Sequence, residues 1–78
     1  MTGIQKATTY IEKEETRATR QLARYEGNPE MANAASKDLG WDVLQRANDT
    51  MNIINALKNE IATNDDLLVA KLYKKLLG

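Results

Sequence analysis

The sequence predicts an all-α fold. The expected form is an antiparallel helical hairpin with a long second arm, followed by a short third helix at the C-terminus. Two observations carry this. No stretch alternates apolar and polar residues with the period of two that a half-buried strand requires. The residues that start and stop helices also fall at three well-separated places along the 78-residue chain, enough for a single domain over 1–78.

The first helix is expected over residues 3–26. Thr2 followed by Gln5 has the spacing of a capping box, in which each side chain satisfies an amide the helix leaves without a partner. Neither proline nor a turn cluster interrupts the chain until Gly27-Asn28-Pro29. There Gly27 suits a left-handed C-cap, Asn28 an N-cap and Pro29 the first position of the next helix. The second helix is then expected over 29–62, with Ser36 to Gly40 as the one place for a kink or a break, since a mid-helix glycine costs about 1 kcal/mol relative to alanine. Thr63-Asn64-Asp65-Asp66 opens the third, over 65–77, and Lys71, Lys74 and Lys75 gather near its end, so both ends match the helix dipole.

At 1.5 Å per residue these helices span roughly 36, 51 and 20 Å. The short connection at 27–28 would lay the first along the second, with facing residues whose numbers sum to about 55. That register pairs Arg17 with Asp38, Lys13 with Asp42 and Lys6 with Asp49, and sets Ile11 opposite Leu44 and Ile4 opposite Met51. The third helix would cover the rest of the second, with little overlap between the first and third.

Charge and composition narrow the function. Eleven basic and eleven acidic side chains balance, six against six in residues 1–40 and five against five in 41–78. Such a chain lacks the net basic field of a protein that lives on duplex DNA or an anionic membrane. There is no cysteine and no histidine, which removes disulfides, thiolate nucleophiles, the usual zinc sites and histidine triads. The only serine, Ser36, has no evident base, and no glycine-rich phosphate loop is present. No catalytic residue, metal site or cofactor is expected. Without a signal-peptide pattern or a long apolar run, the expected location is cytoplasmic, away from membranes.

The distribution of apolar residues points to association. Large apolar side chains number 8 in residues 1–40 and 15 in 41–78. Burial of about 8,000 Å² on folding, about 60% of it apolar, would stabilise the chain by roughly 120 kcal/mol, against about 117 kcal/mol for ordering its backbone and side chains. A monomer is therefore marginal. Trp41, Met51, Ile53, Leu57, Leu68 and Leu72 are the expected interface with a second copy (dimer or higher) or with a protein partner, although a lone tryptophan also suits a core. Asn48, Asn52, Asn55 and Asn59 recur at helical spacing and form either a polar binding face, with amides that fix register, or a solvated stripe.

The leading expectation is a non-enzymatic adaptor, inhibitor or regulatory accessory protein that binds stoichiometrically. A second reading takes Tyr10, Arg20, Arg24 and Tyr25 as a face for a nucleotide or single-stranded nucleic acid, with arginine forks on phosphate and tyrosine stacked on a base. A third is a component of a virion or other assembly.

Overall fold

The structure is a computed structural model and describes residues 2–78. It is all-helical among those residues, with α1 (Gly3–Glu26), α2 (Pro29–Leu39), α3 (Val43–Ile61) and α4 (Asp66–Leu77). The helix count differs from the three expected, because the arm over 29–62 is two helices. Three polar groups divide it. Gly40 adopts the left-handed conformation (φ 79°) and its N–H donates to the Ser36 carbonyl. The Ser36 hydroxyl accepts from the Val43 amide at 3.0 Å. Asp42 then caps α3 by accepting from the Gln45 amide at 3.0 Å. The glycine that a continuous helix would carry at a cost is the end of one helix, and the next starts three residues later, at Val43.

The other boundaries follow their caps. Thr2 and Gln5 form the reciprocal capping box, and Asn28 accepts from the Met31 amide ahead of Pro29. Asp65 accepts from both Leu67 and Leu68 at the start of α4. Gly27 departs from expectation: its φ of −81° is right-handed. A tight turn donating from the Asn28 amide to the Tyr25 carbonyl suffices to start α2 there.

The break changes which helices meet. α1 packs mainly on α3, and α4 packs on both. Contacts across α1 and α3 include Glu15 with Lys58 and the Thr19 hydroxyl with the Met51 sulfur, whose residue numbers sum to 73 and 70. The register near 55 survives only beside the 27–28 turn, where Arg24 meets Met31. It is not formed between α1 and α3, and its three expected ion pairs are not made. Asp42 is spent as a cap, Asp49 accepts from the Gln45 side chain at 2.9 Å, and Arg17 lies 4.0 Å from Glu14. α2 uses up its residues at the end of the molecule, bringing Tyr25 of α1 beside Leu39 and Trp41.

The helix over 66–77 also packs differently from expectation, since it rests on α1 as well as on α3. Gly3 allows this. A Cβ on Gly3 would lie 2.6 Å from the Ala70 Cβ, closer than packed carbons approach. The shared core is Ala7 and Ile11 of α1, Ile54 and Leu57 of α3, and Val69 of α4, with Ile4, Met51, Ile53 and Leu72 packed around it. Toward the α2 end the buried residues shrink to Ala18, Ala32, Val43 and Ala47. The molecule measures 43 × 20 × 16 Å, with a radius of gyration of 14.3 Å where a compact chain of this length has about 11.5 Å. Its accessible surface is 5,564 Å², against about 4,800 Å² expected for its mass.

Candidate functional site

α4 lies in the groove between α1 and α3 and is only half as long as α1. On α1, Gly3, Ala7 and Tyr10 lie on the α4 side, and the same stripe continues through Glu14, Arg17 and Gln21. Beyond the end of α4 this continuation is uncovered. It forms one wall of an open groove of about 570 Å³. Ala18 and Val43 form the floor, Thr50 and Arg46 of α3 the opposite wall, and Tyr25, Leu39 and Trp41 the far end.

Tyr10 stands where the covered and open halves meet, against Tyr73 of α4 on one side and the open groove on the other. Burial there raises its phenol above the usual value, and the nearby Glu14 carboxylate adds to the shift. At the far end, the Arg46 guanidinium stacks 4.7 Å over the Trp41 ring. The Arg24 guanidinium lies 5.7 Å over Tyr25, while its Nε donates to the Met31 sulfur at 3.4 Å.

The residues singled out for association separate into three groups. Trp41 is 45% exposed and Leu68 is also at the surface, which places Trp41 outside the core. Met51, Ile53 and Leu72 are half-buried against the core. Leu57 is fully buried beneath α1 and α4 and belongs to the monomer's interior. The surface holds two apolar residues that sequence reasoning passed over, Met31 and Leu39 (50% exposed), and Leu67 of the surplus apolar surface on the last helix is 74% exposed. Reading Gly40 as a helix end would have revealed Leu39 and Trp41 as neighbours on an exposed corner.

Asn48, Asn52, Asn55 and Asn59 are all exposed, and their amides serve no internal packing. Of the phosphate candidates, Tyr10 and Tyr25 line the groove and Arg20 and Arg24 are exposed beside it. The arginines within the groove are Arg17 and Arg46, which sequence reasoning did not assign to it. Arg46 had no signal, because its place depends on the break before α3.

Among the described residues, no polar or charged side chain is buried and no group of three metal-ligating side chains converges. No described helix is long and apolar enough to cross a membrane. Comparison with family models, curated proteins and solved structures finds no match to this chain.

Proposed function

We propose that this chain is a non-enzymatic binding protein that pairs with a second copy of itself and, in that form, binds a protein partner stoichiometrically. One observation carries the reading: Leu39 and Trp41 are both about half exposed on either side of Gly40, with Met31 exposed at the same end of the molecule. An exposed leucine and tryptophan side by side on one corner have the composition of an interface hot spot. Placed against its own copy about a twofold axis, such a patch buries itself. The surface area supports this. The excess over a compact monomer is about 800 Å², the share one partner contributes to an interface of standard size.

The elongated shape and the small residues of the core at this end act in the same direction, because α1, α2 and α3 meet there through alanines and a valine. Sedimentation velocity on the intact chain and on Leu39→Asp and Trp41→Asp variants tests the proposal. The intact chain sediments as a dimer at tens of micromolar, and each variant sediments as a folded monomer with unchanged helicity. Variants that remain dimeric would remove the corner from the interface.

A further inference from the structure

From the distribution of charge along α1 we infer a second site that adjoins the apolar corner: a binding face for single-stranded nucleic acid. The chain is neutral overall, yet its α1 cations are sorted to one side. Lys6, Lys13, Arg17, Arg20 and Arg24 follow one another at helical spacings along the outer edge of the α4-side stripe. From Lys6 to Arg24 this lip runs about 27 Å. The carboxylates Glu12, Glu15 and Glu26 fall on the far side of the helix, where Glu15 is tied to Lys58. Glu14 is the one acidic residue among those lining the groove, and it sits 4.0 Å from Arg17.

Cations in a row bind any polyanion. The aromatic residues beside them select the kind. Tyr73 and Tyr10 flank Lys6 and Lys13, and Tyr25 lies at the far end with the Arg24 guanidinium over its ring. Alternation of cations that hold phosphates with rings that stack on bases is how proteins grip single strands without reading sequence. In a duplex the base faces are already stacked, so the tyrosines would have nothing to receive. Arg46 faces the lip from α3 and supplies a cation on the opposite wall. Its side chains differ from those of the Leu39–Trp41 corner but adjoin it, since Leu39 and Trp41 close the far end of the same groove and Arg46 stacks over Trp41. Lys13, Arg17 and Arg20 lie outside the corner, so the salt slope reports on the cationic lip itself.

The test is fluorescence anisotropy with labelled 20-nucleotide dT and rU strands, the matching duplex and phosphatidylserine vesicles. If Lys13, Arg17, Arg20 and Arg24 each neutralise one phosphate, log affinity falls with log salt at a slope of about −2.8, roughly a 50-fold loss between 50 and 200 mM. The Arg20→Ala, Arg24→Ala double variant halves that slope. Its fold is intact by circular dichroism, because both side chains are exposed. Tyr25→Ala weakens binding about 10-fold, whereas Tyr25→Phe retains it. Lys37→Ala, on α2 and away from the lip, leaves binding unchanged. Absence of strand binding at 50 mM salt, equal affinity for the duplex, an unchanged slope in the double variant, or binding to the vesicles alone would each overturn the assignment.

Discussion

Asp66 and Gly3 join the two ends of the chain. The Gly3 amide donates to the Asp66 carboxylate at 3.3 Å, and a Cβ on Gly3 would fall 2.7 Å from the Asp66 carbonyl oxygen. The Ile4 amide donates to the same carboxylate at 2.9 Å, while Thr2 and Gln5 satisfy one another. Every amide in the first turn of α1 thus has a partner, two of them supplied by α4. This contact holds α4 in its groove and fixes where the groove falls open.

Gly3→Ala should destabilise the fold by about 1–3 kcal/mol, measured as a fall in the urea midpoint. Alanine is the better helix former, by about 1 kcal/mol within a helix. The added carbon meets the backbone of α4, however, and cannot be relieved by turning a flexible side chain. A more stable variant would show that α4 does not sit this close.

Asp66→Asn should lower stability at pH 7 and remove part of the chain's acid sensitivity. The Ile4 amide, and then the Gly3 amide, hold the Asp66 carboxyl below its ordinary value of 3.8. A depressed folded-state pKa gives stability that is present above the unfolded value and lost as pH falls through the folded one. Urea midpoints of the two proteins should therefore differ at pH 7 and draw together as pH falls below the ordinary value of 3.8 and through the folded-state pKa. A gap that is constant with pH would mean the charge plays no part.

Gly40→Ala should cost about 1–2 kcal/mol, because its φ of 79° is left-handed and strained for any residue with a Cβ. Space is not the cause, since nothing lies within 4 Å of a Cβ built there. Gly40→Asn, which tolerates this conformation better, should recover part of the loss in thermal melts.

Leu57→Ala should cost about 2–5 kcal/mol in chemical unfolding, the range for a fully buried leucine. Leu39→Ala should change stability little and weaken association, as judged by sedimentation. The opposite ranking would exchange the roles of core and surface.

Much of the local structure was legible in the sequence, because it is written in caps. Thr2, Gln5, Asn28, Pro29 and Asp65 specify their helix ends through side chains within three residues. Ser36 and Gly40 marked the right place for a disturbance, but its size depends on Asp42 and on the Ser36 hydroxyl reaching across the corner to Val43. The register was not legible, since a break of three residues displaces every facing pair between α1 and α3. That displacement exchanged Leu57 for Leu39 at the surface and brought Arg46 opposite Arg17. Tyr10 and Tyr25 could be placed on one face from their spacing alone. The groove between them depends on α4 ending halfway along α1, a matter of length rather than of any motif.

The claim that an apolar corner draws two copies together is tested most directly by the molar mass of the unmodified chain across a dilution series, with Trp41 emission recorded on the same samples. The expected result is twice the mass of 8.8 kDa at high concentration, falling toward the single-chain mass on dilution as the emission shifts to the red. A constant mass of 8.8 kDa up to high micromolar concentration, with unchanging emission, would contradict it.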